Sequence, residues 1–228
     1  MKRALRGWSS FHHSHRYAVL FYTLLVTLAA SPVLTALRFS TNLLQIFLAF
    51  SLLVALGDTR GRGRGLLMLL AAVVVGVRVA PASTVGVELA SGALAVASGL
   101  ALFAAARAIR FAMRARVIYA EQIYASLSAY LLAGLFFAVL YWAIEAAWPG
   151  SFGMAGADSG QPVFRLSTAI YYSFVTLATV GYGDVVPRTE VARGVAVFEA
   201  VGGQLYVAVM IARLVGARLQ APGPEGEG

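Results

Sequence analysis

Thr179-Val180-Gly181-Tyr182-Gly183-Asp184 lies between two long apolar stretches, and its reading decides the fold. Glycine stands at alternate positions, 181 and 183. Glycine enters the left-handed backbone region at no steric cost, whereas other L residues resist it. A strand that alternates hand from residue to residue turns successive carbonyls toward one side. This segment can therefore present a row of backbone oxygens along one axis, with the Thr179 hydroxyl adding one at the inner end. A glycine-containing surface turn would use the same residues, and the flanks decide between the two.

Immediately upstream, Phe164 to Ala178 reads as a turn followed by a short helix, with Ser167 or Thr168 as its N-cap. Beyond it lies an apolar run, Ser126 to Trp148, and downstream another, Val191 to Val215. A surface turn has no reason to sit between two stretches long enough to cross a bilayer, which takes about 20 apolar residues.

The whole chain has this character. Of its 228 residues 60% are hydrophobic and 12% charged, with mean hydropathy +0.78, against about 25% charge in a soluble domain. The absence of cysteine excludes a disulfide framework and thiol-ligated metal. No nucleophile–base pair, phosphate loop or metal-ligand spacing is present, which argues against an enzyme. The net charge of +8 sits in the gaps between apolar runs, as topology signals do, and does not form a nucleic-acid-binding face.

Six spans are predicted: Tyr17–Leu37 (Pro32 near its end), Asn42–Leu56, Leu66–Ala80, Val85–Ala106 (Glu88 near its start), Ser126–Trp148 and Val191–Val215. The third and fourth are rich in Ala, Gly and Ser, which suits close helix packing in lipid. With a cytoplasmic N-terminus, Lys2, Arg3, Arg6, Arg16, Arg60, Arg62, Arg64, Arg107, Arg110, Arg114, Arg116, Arg213 and Arg218 fall on the cytoplasmic side. Arg38, Arg78, Arg165, Arg188 and Arg193 fall outside, so 13 of the 18 basic residues favour this orientation. Both termini are then cytoplasmic, and the Tyr182–Asp184 end of the central segment faces outward. The basic N-terminus followed by a long apolar run reads as a retained signal-anchor. His12, His13 and His15 read as a solvated juxtamembrane tract, since no fourth metal ligand is in view. Gln220 to Gly228, rich in Pro, Gly and Glu, reads as a disordered tail with no soluble ligand-binding domain after the last span.

From Ser126 onward, over about 100 residues, the chain resembles the pore unit of tetrameric potassium channels: outer helix, pore helix, filter, inner helix. Thr179-Val180-Gly181-Tyr182-Gly183 is the pentapeptide of the potassium-channel selectivity filter, whose carbonyls replace the hydration shell of K+. The resemblance implies an all-α membrane protein of six transmembrane helices with a re-entrant pore helix and filter loop between the fifth and sixth. It implies a homotetramer in the cell (inner) membrane, without cofactor, with K+ as permeating ligand coordinated at Thr179, Val180, Gly181 and Tyr182 and the Gly183 carbonyl completing the row. The organisation that follows is a cytoplasmic N-terminus (1–16), a four-helix voltage-sensor-like domain (17–106), a linker (107–122), a pore domain (123–218) and a tail (219–228).

Tyr171-Tyr172-Ser173-Phe174-Val175-Thr176 is similar to the family's pore-helix segment, in which two aromatics, usually tryptophans, precede Val-Thr. Tyr171 and Tyr172 then imply donors toward Tyr182 and Asp184, with Thr176 beneath the filter. Glu145, at the end of the fifth span, corresponds to a Glu that bonds backbone behind the filter; an interfacial Glu facing water is the alternative. Tyr141, Trp142 and Trp148 form an interfacial aromatic belt.

Gly202-Gly203 lies mid-helix, where the family places a gating hinge or a close approach to the pore helix; the sequence does not choose. Glu199 and Gln204 are polar residues inside a span and must face protein or water. Glu199 is expected against the pore helix or filter backbone, Gln204 in the cavity. Glu199-x-x-x-Gly203-Gln204-x-Tyr206 resembles small bacterial channels of six spans.

The first four helices depart from voltage-gated relatives, whose fourth span carries arginine at every third position. Val85 to Ala106 has no Arg or Lys, and the second and third spans have no acid. Arg107, Arg110, Arg114 and Arg116 follow the apolar run, so Arg107 to Gln122 reads as an amphipathic interfacial linker able to meet anionic lipid. The alternative is the lower end of a reduced voltage sensor, giving a weakly voltage-gated channel. A K+ transporter subunit is a further alternative, but such transporters carry four degenerate filters and this chain has one intact copy.

Overall fold

The computed structural model describes residues 16–36, 87–114, 120–155 and 164–219. They form five helices, α1 (Arg16–Ala36), α2 (Val87–Arg114), α3 (Ala120–Ala147), α4 (Leu166–Leu177) and α5 (Glu190–Leu219), and two short strands, β1 (Phe152–Met154) and β2 (Val185–Pro187). The expected spans at 42–56 and 66–80, His12, His13, His15, Arg116 and the Gln220–Gly228 tail lie outside the described residues.

Helix α3 is the hub, packed along α1, α2, α4 and α5. Its apolar residues run right round the circumference, as suits a helix with neighbours on several sides. Among the described residues, two helices are long and apolar enough to cross a membrane, Ala120–Ala147 and Glu190–Gly216; α1 contributes the shorter apolar stretch Tyr17–Ala29. Thr23 and Thr27 in α1 satisfy their hydroxyls on Val19 O and Thr23 O, both at 2.7 Å.

The helix boundaries differ from the sequence reading in two places. Helix α2 runs unbroken from the apolar stretch through Arg107 and Arg110 to Arg114, and α3 already begins at Ala120. Nothing between Ala104 and Ala112 interrupts a helix; these residues are mostly alanine, the strongest helix former. Ala108 and Ala112 are buried against Ala125 and Ala129 of α3, so the packed face of α2 continues past Arg107. Helix α4 starts at Leu166, with extended Arg165 at the N-cap position and no side-chain cap. Ser167 and Thr168 therefore lie inside the first turn, because Ala169 N–H already donates to Arg165 O at 3.0 Å.

The two strands pair antiparallel with Phe152 opposite Pro187, Gly153 opposite Val186 and Met154 opposite Val185. This ribbon joins the segment after α3 to the segment before α5. Pro187, which has no amide proton, sits at its end, where that costs least. Arg188 N–H to Ser151 O, 2.7 Å, and Ala155 N–H to Asp184 O, 2.8 Å, extend the tie. Thr189 O then accepts from Arg193 N–H at 3.0 Å, and acidic Glu190 occupies the first turn of α5, the positive end of its dipole.

The core at this end is aromatic. Phe152 stacks on Phe164 at 4.6 Å, and Tyr141 and Tyr172 meet edge to face at 4.9 Å. Phe152 also packs edge-on to both Tyr141 and Tyr172. Ribbon, α3 and α4 are thereby locked around one aromatic cluster, and the loop between α4 and β2 hangs from it at both ends.

Candidate ion-conducting site

The loop from Ala178 to Asp184 is exposed at every residue, although α4 before it and Val185 after it are anchored in the core. Its backbone has positive φ at Thr179 (56°), Gly181 (57°) and Gly183 (78°), and at neither Val180 nor Tyr182. The alternation expected from two glycines thus extends one residue further, to Thr179. A β-branched residue at positive φ is a genuine outlier, of the kind found where function holds the backbone in strain.

The amides of this segment point back at α4. Val180 N–H donates to Val175 O at 2.9 Å, Gly181 N–H reaches the same oxygen at 3.5 Å, and Thr179 N–H donates to Thr176 O at 3.0 Å. The C-terminal carbonyls of a helix are the ones left without intrahelical partners. Here the Val175 and Thr176 carbonyls take up the loop's donors.

The residues expected to support the segment separate into those beside it and those behind it. Tyr171 is beside it: its hydroxyl donates to Asp184 Oδ2 at 2.8 Å, and its ring lies parallel to that of Tyr182 at 6.5 Å. Asp184 Oδ1 in turn accepts Val185 N–H at 3.1 Å. Tyr172 points the other way, into the buried aromatic cluster, where it bonds the Thr176 side chain. Within one chain, only Tyr171 of the pair meets Asp184 and Tyr182.

Glu145 bonds backbone, at the turn leading into β1. Its carboxylate accepts Gly150 N–H at 2.8 Å and Phe152 N–H at 3.0 Å. It shapes the strand that pairs with the segment after Asp184. Glu199 lies fully inside, 1% exposed, between α3, α4 and α5. Its Oε2 accepts from the Tyr141 hydroxyl at 2.5 Å, and its Oε1 lies 2.5 Å from Ser173 Oγ on α4.

Gly202 and Gly203 have different surroundings, and α5 passes through both without a break. A Cβ on Gly203 would stand 2.7 Å from Leu177 Cδ1 and 3.3 Å from Leu177 O, whereas one on Gly202 would meet nothing within 4 Å. Gly203 lets α5 pass close to the end of α4. Gln204, one residue on, is exposed on this chain.

Sequence reasoning gave no supporting role to several residues that hold the site. Tyr130 on α3 donates to Leu177 O at 3.1 Å, occupying another carbonyl at the end of α4. Tyr206 on α5 donates to Ser126 O at 2.7 Å, and the Tyr130 and Tyr206 rings stack at 6.3 Å. Gly134 admits the Phe174 ring, 2.7 Å from where its Cβ would be. The available signal was the cost of hydroxyls in apolar helices: a tyrosine there must find an acceptor, and the last turn of a neighbouring helix is the nearest supply.

Residues 125–219 match a family described as ion channel, a match covering less than half of the chain. That stretch spans most of α3, the ribbon, α4, the exposed loop and α5. The chain is also 33% identical over 86 residues to two pore potassium channel c of Oryza sativa subsp. japonica. That alignment covers 38% of this chain and 17% of the rice protein. Together with the two span-length helices, these similarities mark a membrane protein with an ion-channel-like C-terminal half.

Proposed function

We propose that this chain is one subunit of a potassium-selective channel in which K+ passes along the Thr179–Gly183 carbonyls. The observation that carries the reading is the alternating backbone of Thr179, Gly181 and Gly183 on a fully exposed loop, its amides turned to α4. A cation stripped of water needs several oxygens at once, and one chain supplies one side of such a cage. Four copies round an axis close it, with α4 re-entrant between the spans α3 and α5 and with Gln204 toward the cavity. The similarity to a potassium channel supports the same reading for the C-terminal half. Inner-membrane location, six spans and cytoplasmic termini are the topology that goes with it.

Purified protein in liposomes should pass K+ down its gradient and reject Na+. Equal fluxes of both ions, or none, would refute the proposal. The flux should change little with membrane voltage. One charge crossing the field is worth about 2.3 kcal/mol per 100 mV, so steep gating needs several charges that move through it. The arginines Arg107, Arg110 and Arg114 sit in the last turns of α2, after its apolar stretch. A steep voltage response lost on neutralising Arg107 and Arg110 would instead favour a reduced voltage sensor.

The conducting species should weigh about four times the 24.1 kDa chain. The exposed apolar side chains of α5, among them Val197, Phe198, Val201 and Leu205, offer the surface for that contact. Native mass measurement that found a conducting monomer or dimer would contradict the assembly.

A further inference from the structure

The contacts round Glu199 require a proton that the usual carboxylate does not provide. Ser173 Oγ lies 2.7 Å from Gly134 O of α3 and 2.5 Å from Glu199 Oε1 of α5. A serine hydroxyl has one proton to donate, and a carbonyl oxygen and an ionised carboxylate only accept. With Glu199 ionised, one of the two contacts brings two lone pairs together with nothing between them. The Tyr141 hydroxyl is already used on Glu199 Oε2.

The other groups nearby do not change the count. Tyr130 faces Glu199 from α3 and gives its proton to Leu177 O; Tyr172 faces it from α4 and bonds Thr176. The side chains that act on Glu199 are those of Ser173 and Tyr141; the nearest arginine on its own helix, Arg193, pairs with Glu190.

We infer that Glu199 is a neutral carboxylic acid, acting as a positioning residue that pins the short helix α4 between α3 and α5. Its Oε1 hydroxyl donates to Ser173 Oγ, Ser173 donates on to Gly134 O, and Tyr141 donates to Oε2. Every donor and acceptor is then used once. Ser173 stands two residues before Val175, whose carbonyl holds the loop amides, so the chain of bonds fixes the height of the oxygen row. Ionisation breaks the chain at one of its links and frees α4 to shift. The effect on conduction rests on the channel reading above; the proton itself does not.

Two measurements on the full chain in lipid test this. Infrared difference spectra of wild type against Glu199→Gln at neutral pH should show a protonated-carboxyl stretch, absent in the variant and moved in frequency by Ser173→Ala. Glutamine reproduces the neutral pattern, its amide donating to Ser173 and its carbonyl accepting from Tyr141. K+ flux of Glu199→Gln should therefore match wild type at neutral pH and stay flat as pH rises, while wild-type flux falls. Glu199→Ala, still inserted, should pass K+ about tenfold more slowly, as expected of a partly satisfied buried network. No carboxyl band at neutral pH would overturn the neutral acid. A band accompanied by identical pH profiles for wild type and Glu199→Gln would overturn its positioning role. A band in a protein that conducts nothing would leave the proton standing and remove the channel.

Discussion

Gly181→Ala is expected to insert and fold but no longer to separate K+ from Na+. Space is not the obstacle, since a Cβ on Gly181 meets nothing within 4 Å in its own chain. Conformation is. Gly181 holds φ at 57°, where an L side chain costs roughly 1–2 kcal/mol. In a fourfold assembly that strain repeats on every strand, about 4–8 kcal/mol on one axis. Relief comes by rotating the peptide, which turns a carbonyl away from the row and leaves an amide in its place. Since 1.4 kcal/mol is about a factor of ten, strain of this size, added to that already held at Thr179, is enough to drive the loop out of its wild-type backbone. Flux assays with paired K+ and Na+ gradients read the outcome, with membrane insertion checked separately. A variant that kept the wild-type preference would dissociate Gly181 from ion selection.

Gly203→Val should show the second large effect, with Gly202→Ala as its control. A Cβ at 203 stands 2.7 Å from Leu177 Cδ1 and 3.3 Å from the Leu177 carbonyl, and valine adds two methyls beyond it. Overpacking of this kind costs about 1–3 kcal/mol. It also pushes α5 off the end of α4, where Tyr130 holds the Leu177 carbonyl and Val175 holds the loop amides. The variant should lose conduction and a good part of its thermal stability. Gly202→Ala has open space and should gain about 1 kcal/mol of helix stability. If Gly202→Ala conducts normally and Gly203→Val does not, the pair serves packing. If Gly202→Ala is the one that stops opening, position 202 is a hinge.

How much of this was legible in the sequence can be judged residue by residue. Thr179 to Asp184 announced itself because glycine at 181 and 183 has one strong physical use. Thr179 did not announce its own positive φ, because nothing in a threonine asks for that conformation; the turn off α4 imposes it. The long helices were visible as apolar runs, but the end of α2 was not. Arginines at 107 and 110 read as a boundary, while the buried face of Ala108 and Ala112 carries the helix through them. Tyr171 and Tyr172 are adjacent and identical in type, yet a helix turns neighbours about 100° apart. One meets Asp184 and the other the core, which no residue identity could separate. Glu199 was legible as a polar residue that needed company. Tyr141 and Ser173, which provide it, lie 58 and 26 residues away.

The exposed face of residues 178–184 also bears on how damage would spread. On the proposed assembly, no chain owns a pore; each owns a share of one. A cell producing sound and faulty chains together would not lose conduction in proportion to the faulty fraction. Every assembly that admitted one bad share would be spoiled, and sound copies would be consumed in doing so. A mutation that spares folding but distorts the loop would therefore be more harmful than deletion of the gene copy, because a missing chain recruits no partners.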